Sequence, residues 1–256
     1  MPEKAVKKDI ININFVCSGN TCRSYIAEAI ATHLLKTVYF KRCPSLKDRV
    51  SISSAGTEVM FSEIPANTYR VLDIFEIPNI KFKPKQIDIS IVRSSNLIIT
   101  MATSHKKNII SRFINIDEKK IFNLLELSNI ILYVQSENIY SRKTIERGAS
   151  RVSNMNMDYP IKPAYNKYLL EKDNINYPKN TKHSKIISTV DERLKIIKTA
   201  SAESIIFPLS IDIEDPFGRS ADVYIKVAKL IKENIIIIFN YLFNSKGAQY
   251  ENSNWS

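Results

Sequence analysis

Apolar residues along this chain fall into short runs of two kinds. Ile11 to Val16 is dense and strand-like, and Ile26 to Leu35 just after it is helix-like. Continuing this way predicts strand 9–17, helix 24–36, strand 50–54, helix 65–75, strand 96–101, helix 105–113, strand 120–124 and helix 219–241. Strands alternating with helices point to an α/β fold: a four-stranded parallel sheet with helices on both faces. The first and third strands are apolar almost throughout, as strands buried on both sides tend to be. In helix 219–241, Val223, Val227, Leu230, Ile231, Ile235 and Ile238 form one broad face, better suited to core packing than to a membrane.

Between the fourth strand and the last helix lies a long stretch of different character. Residues 128–182 are rich in Asn, Tyr, Lys and Ser with scattered Pro and little regular periodicity. Within 184–204, Ile186, Ile187, Val190, Leu194 and Ile197, with Ile205 nearby, recur at near-helical spacing. A structureless loop of such length is unusual inside a compact domain. The pattern therefore predicts a discontinuous domain of residues 1–127 and 210–256, with 128–209 inserted as a lid or satellite subdomain holding at least one helix.

The chemistry concentrates where the first strand meets the first helix, at Cys17-Ser18-Gly19-Asn20-Thr21-Cys22-Arg23-Ser24. Unpaired N–H groups at a helix N-terminus, with the positive end of its dipole, make an anion cradle. Gly19 and Asn20 suit the left-handed or close-approach backbone such a loop needs. A cysteine held there is stabilised as thiolate, a ready nucleophile. Arg23 offers planar, bidentate hydrogen bonds to phosphate oxygens. Positioning and charge stabilisation, the main needs of phosphoryl transfer, are then supplied without metal or cofactor. The bland alternative is a buried cysteine beside a helix-capping turn.

The stretch VCSGNTCRSYIAEA resembles the active-site signature of the low-molecular-weight protein tyrosine phosphatases. Further resemblances follow in order: Ser53-Ser54-Ala55-Gly56-Thr57, then Ser95-Asn96-Leu97-Ile98-Ile99-Thr100-Met101 with Ser104-His105-Lys106, then Asp212-Ile213-Glu214-Asp215-Pro216-Phe217-Gly218. Together they cover roughly residues 9–127 and 210–242. The resemblance implies the phosphotyrosine protein phosphatase I-like, flavodoxin-like fold. It implies that Cys17 attacks phosphorus to form a phosphocysteine and that Arg23 clamps the phosphate. Asp215 would protonate the leaving group and later take a proton from water, and Ser24 would help the thiolate leave. Ser18, Gly19, Asn20, Thr21 and Cys22 would line the phosphate loop, with Asn20 holding its shape, and Phe217 would face the substrate. Proton donation by a positioned acid is typically worth about 10²–10⁴-fold. Asp215 taken alone is equally an N-cap for the last helix. Cys22 is by itself a small residue packed at the helix start; the resemblance adds a reversible disulfide with Cys17 under oxidation.

Substrate choice turns on two positions. Tyrosine-specific members of the family usually carry an aliphatic residue where Thr21 stands, and an aromatic pair after the Asp-Pro. Here Phe217 is followed by Gly218. GNTCRS with DPFG resembles the bacterial protein-arginine phosphatases of the same family, where the threonine is thought to restrict the pocket and orient water. Phosphotyrosine is the broader family expectation and phosphoarginine the close second. Arsenate reductases share the fold and loop but need further relay cysteines, and Cys43 lies well before the region where those would fall. A non-catalytic phosphoprotein-binding module would require a steric block, since Cys17, Arg23 and Asp215 are all present.

Composition narrows the picture modestly. Three cysteines give no secreted disulfide framework. The opening MPEKAVKKDI lacks an apolar targeting segment, and the longest apolar run, Ile235 to Phe239, is far short of a bilayer span, so a cytoplasmic protein with no membrane partner is expected. Of the net charge of +11, residues 1–127 carry +7 and residues 128–209 carry +5. No stretch interleaves basic and aromatic residues as a nucleic-acid module does. The expected partner is a phosphorylated protein, with 128–209 as a docking surface through Tyr133, Tyr140, Tyr159, Tyr165, Tyr168 and Tyr177, or else a tolerated surface insertion.

Overall fold

The structure is a computed structural model, and it describes residues 10–78, 82–146, 183–202 and 212–243. Four parallel strands form one sheet in the order β2-β1-β3-β4, with β1 at Ile11–Cys17, β2 at Val50–Gly56, β3 at Leu97–Thr100 and β4 at Ile121–Asn123. The helices are α1 (Arg23–Leu34), α2 (Ala66–Ile74), α3 (Ile89–Ser94), α4 (Thr103–Arg112), α5 (Leu124–Glu146), α6 (His183–Ala202) and α7 (Ala221–Phe243). The predicted four-stranded parallel architecture is the one observed. α1 runs on through a π turn at Leu35–Tyr39 and a last turn at Phe40–Arg42, beyond the predicted end at 36. The short α3, capped by the Asp88 carboxylate accepting from the Ile91 N–H at 2.8 Å, was not predicted.

Alternation along the strands divides the core in two. Ile11, Ile13, Phe15 and Cys17 of β1 join Leu97, Ile99 and Phe122 on the larger face, beneath α1, α2, α5, α6 and α7. Val16, Ala55, Ile98 and Ile121 point the other way, against Val92 of α3 and Ile109 of α4. On α7, Val227, Ile231, Ile235 and Ile238 are buried as the pattern predicts, but Leu230 faces solvent.

The stretch after β4 differs most from expectation. Residues 128–182 are predicted to be irregular, yet α5 continues from β4 through Glu146. Its Leu124, Leu127, Ile130 and Ile131 are buried in the larger core, a stripe at helical spacing diluted by Asn, Ser and Tyr of modest helix propensity. Ser128 donates to Asn234 Oδ1 of α7 at 2.5 Å, and Asn234 Nδ2 donates to the Leu230 carbonyl at 2.8 Å, so this buried polar pair is satisfied. The predicted second helix appears as α6, with Val190, Leu194 and Ile197 in the core. Ile205 and the side chains of Ile186 and Ile187 lie outside the described residues. Of the tyrosines proposed for docking, Tyr133 is exposed; Tyr159, Tyr165, Tyr168, Tyr177 and the Tyr140 side chain lie outside the described residues.

Arg193 anchors α6 to the C-terminal end of α7. Its Nη1 donates to the carbonyls of Tyr241 at 2.5 Å and Leu242 at 3.0 Å, and its guanidinium lies over the Tyr241 ring. These carbonyls lie toward the C-terminal part of α7, the negative side of its dipole. Arg193→Ala should lower the unfolding free energy by about 1–3 kcal/mol, the usual worth of hydrogen bonds to a charged group. Urea denaturation followed by circular dichroism would measure it.

Candidate active site

The phosphate-loop candidate is built from the end of β1 and the start of α1, with β2 closed behind it. Thr57 N–H donates to the Cys17 carbonyl and Glu58 N–H to the Ser18 carbonyl, both at 2.9 Å, so the strand pairing continues into the loop. Gly56 sits directly behind: a β-carbon there would lie 2.4 Å from the Ser18 carbonyl oxygen and 3.0 Å from the Asn20 nitrogen. Only glycine permits that approach.

Asn20 holds the loop. Its backbone is left-handed, with φ of 56°, and its side chain is fully buried. Its amide nitrogen donates to Ser24 Oγ at 2.9 Å and to Ser54 Oγ at 2.8 Å, and its oxygen accepts from the Lys85 N–H at 2.9 Å. Ser54 in turn donates to Glu28 Oε2 at 2.5 Å. With Asn20 donating into it, the Ser24 hydroxyl has its proton available for Cys17 Sγ, 3.0 Å away. An ordered, nearly solvent-free relay thus runs from Glu28 through Ser54, Asn20 and Ser24 to the thiol. Burial holds the Glu28 carboxyl above its ordinary range.

Arg23 meets the segment that carries Ile213 and Asp215. Arg23 is 5% exposed; its Nη1 donates to the Ile213 carbonyl at 3.1 Å, and its Nη2 pairs with Asp215 Oδ2. Arg23 Nε is buried without a hydrogen-bond partner among the described residues. Asp215 is half exposed, and its other oxygen accepts from the Phe217 N–H at 3.2 Å, an Asx-type turn. The loop is fixed to the sheet by the Ile213 N–H donating to the Met101 carbonyl at 2.8 Å. Asp212 strengthens that dock, accepting from the N–H and the hydroxyl of Thr103, each at 2.7 Å. Phe217 is exposed, and Gly218 takes a φ of 74°.

The sequence-predicted residues therefore converge: Cys17, Ser18, Gly19, Asn20, Thr21, Cys22, Arg23 and Ser24 form one loop, and Asp215 reaches Arg23 from the other end of the chain. Phe217, two residues after Asp215, is 57% exposed. Thr21 is buried, its hydroxyl 3.7 Å from Cys22 Sγ and its carbonyl accepting from the Thr68 hydroxyl at 3.2 Å. Cys17, Cys22 and Cys43 are free thiols. Cys22 lies 3.4 Å from the Tyr224 hydroxyl, and burial pushes both groups up in pKa.

Sequence reasoning assigned no role to Glu28, Ser54, Asp212, Tyr224 or His105, because each acts through a partner distant in sequence. His105, in the first turn of α4, is 4% exposed and shares a 2.9 Å hydrogen bond between its Nε2 and Ser18 Oγ. Burial, and then the Arg23 charge, push its pKa down to about 4. Among the described residues no His, Cys, Asp or Glu side chains cluster as metal ligands would, and no helix is long and apolar enough to cross a membrane.

The His105 shift has a consequence for stability. The unfolded chain takes up this proton near pH 6.5, whereas the folded protein resists it down to about pH 4. The contribution is complete above pH 6.5 and is lost as the pH falls toward 4, so stability rises with pH across that window. His105→Gln should flatten that part of the profile, as urea denaturation at pH 4.5 and 7 of both proteins would reveal.

Comparison with known proteins places this geometry. Residues 12–136 match the family described as low molecular weight phosphotyrosine protein phosphatase. The low molecular weight protein-tyrosine-phosphatase PtpB of Staphylococcus haemolyticus is 32% identical over 119 residues, spanning 45% of this chain and 73% of that protein. Among solved structures, the low molecular weight protein tyrosine phosphatase of T. tengcongensis superposes with a TM-score of 0.52 at 18% identity, covering 91% of this chain and 99% of that one. The YwlE arginine phosphatase, in a form with a phosphorylated active-site serine, superposes with a TM-score of 0.51 at 17% identity, covering 92% and 98%. The two solved structures share the fold, and the family match spans the Cys17–Ser24 loop and β2, β3 and β4. The chain belongs to the low-molecular-weight protein-tyrosine-phosphatase family.

Proposed function

We propose that this protein hydrolyses phosphorylated side chains of proteins, phosphotyrosine above all, through a phosphocysteine intermediate. The observation that carries the proposal is the buried Arg23 guanidinium, at the loop that holds Cys17 and paired with Asp215; the Arg23 Nε has no hydrogen-bond partner among the described residues. A buried N–H without an acceptor costs roughly 1–3 kcal/mol, and a phosphoryl oxygen is the acceptor its geometry suits.

In this mechanism Cys17 Sγ attacks phosphorus, the S–P bond forms and the bond to the leaving oxygen breaks. Asp215 gives that oxygen its proton. To do so it must part from Arg23, and the incoming phosphoryl group takes its place on the guanidinium. Water then attacks phosphorus, Asp215 accepts its proton, and the S–P bond breaks. The Ser24 hydroxyl, oriented by Asn20, donates to the departing thiolate. No metal or cofactor enters these steps.

A second substrate reading rests on Thr21 and on Gly218 following Phe217. A threonine in the loop and a single aromatic at the rim favour phosphoarginine, whose guanidinium would stack on the exposed Phe217. In the proposed organisation, residues 1–127 and 210–256 form the phosphatase unit, and 128–209 is an insertion whose described ends pack as α5 and α6. Its charge of +5 and exposed Tyr133 suit contact with a phosphoprotein. We place the protein in the cytoplasm.

Cys17→Ser is expected to abolish turnover of para-nitrophenyl phosphate while retaining phosphate binding; surviving turnover would refute the mechanism. Asp215→Asn should slow hydrolysis by about 10²–10⁴-fold, and less for substrates with better leaving groups. Rates on phosphotyrosine and phosphoarginine peptides, measured side by side, decide the substrate. Thr21→Ile should shift the preference toward phosphotyrosine, and an unchanged ratio would remove the argument for phosphoarginine.

A further inference from the structure

His105 takes no part in the steps above, yet it is built into the wall of the cradle. Its Nε2 shares the 2.9 Å hydrogen bond with Ser18 Oγ, one residue after the nucleophile. Its Nδ1 is buried and has no hydrogen-bond partner among the described residues. The charges facing the ring are Arg23 from α1 and Asp215 and Asp212 from the acid loop.

These contacts select a tautomer. With the proton on Nδ1, a buried N–H would lack an acceptor among the described residues. With the proton on Nε2, the unpaired atom is a lone pair, and under-satisfied buried acceptors are tolerated better than orphaned buried N–H donors. The ring also lies in the first turn of α4, where the positive end of the helix dipole opposes an imidazolium. A neutral ring therefore donates from Nε2 to Ser18 Oγ. With one lone pair of the hydroxyl engaged from the α4 side, its own proton must point elsewhere, and Ser18 is half-buried at the rim of the loop.

We propose that His105 is a positioning residue of the phosphate cradle, holding the Ser18 hydroxyl as a hydrogen-bond donor turned toward the mouth, where it meets a phosphoryl oxygen. The proposal rests on the phosphate-loop reading of Cys17 to Ser24. A contact of this kind binds substrate and transition state alike, so its loss raises KM with little change in kcat.

A double-mutant cycle tests it, with para-nitrophenyl phosphate for kinetics and inorganic phosphate for affinity. Ser18→Ala and His105→Leu should each weaken KM and phosphate Kd by about tenfold, the scale of one hydrogen bond. The double variant should be no weaker than either single one, because both remove the same donor. His105→Gln, whose amide supplies an N–H in place of Nε2–H, should recover most of the loss. Losses that add in the double variant, or a His105→Leu protein with wild-type constants, would overturn the proposal. Should His105→Leu not fold, nitrogen-15 NMR of the wild-type imidazole decides. An Nε2–H tautomer across about pH 5 to 8 is expected, and an Nδ1–H tautomer would refute it. Intact coupling in phosphate affinity without Cys17-dependent turnover would refute the phosphatase reading alone. Normal turnover with additive losses would refute the His105 proposal alone.

Discussion

The buried amide of Asn20 is the constraint on which the site depends. Its two N–H groups and its oxygen are all engaged, each by a different element: Ser24 of α1, Ser54 of β2 and the backbone of Lys85. A side chain committed in three directions cannot shift without leaving buried polar groups unpaired, a cost of roughly 1–3 kcal/mol apiece. The left-handed backbone at this residue is held by the same bonds. The loop is thus shaped by the sheet and by α1 together, and the Ser24 hydroxyl is aimed at Cys17 as a by-product of that fit.

Asp215 is brought in by a different route. Asp215 is nearly two hundred residues from Arg23 in sequence, yet its loop is pinned to the end of β3 through Met101 and to the start of α4 through Thr103. Because the pinning is local to Asp212 and Ile213, a long insertion before it need not disturb the geometry, and loop-closure entropy rises only slowly with length. Within the described residues α5 and α6 thicken the helical layer over the larger core face, beside α7. In a fold whose last helix carries so much isoleucine, that cover keeps the apolar stripe out of water.

Much of this was legible in the chain. Cys17 to Ser24 lies contiguous between a strand and a helix, so local patterning alone places it at the carboxyl edge of a parallel sheet, where ligands of such folds bind. β3 was legible because it is short, dense and apolar, and β1 because apolar residues dominate it. α5 was not, because its buried stripe of Leu124, Leu127, Ile130 and Ile131 is interleaved with Ser128 and Asn129 and runs into a polar stretch. Helices of weak propensity are held by packing, and the partner helix α7 begins nearly a hundred residues later.

The amino-acid sequence by itself determined the order of the four described strands and of α1, α2, α4, α6 and α7, the loop with its thiol and guanidinium, and the family, since each is written in neighbouring residues or in ordered motifs. Tertiary structure alone decided which groups serve that loop. Glu28, Ser54, His105 and the Asp212 dock come from separate elements, and a hydrogen bond between distant residues leaves no periodic trace. Their roles follow from burial: once a polar group is taken out of water its few available partners define its orientation, and only the folded chain says which partners those are.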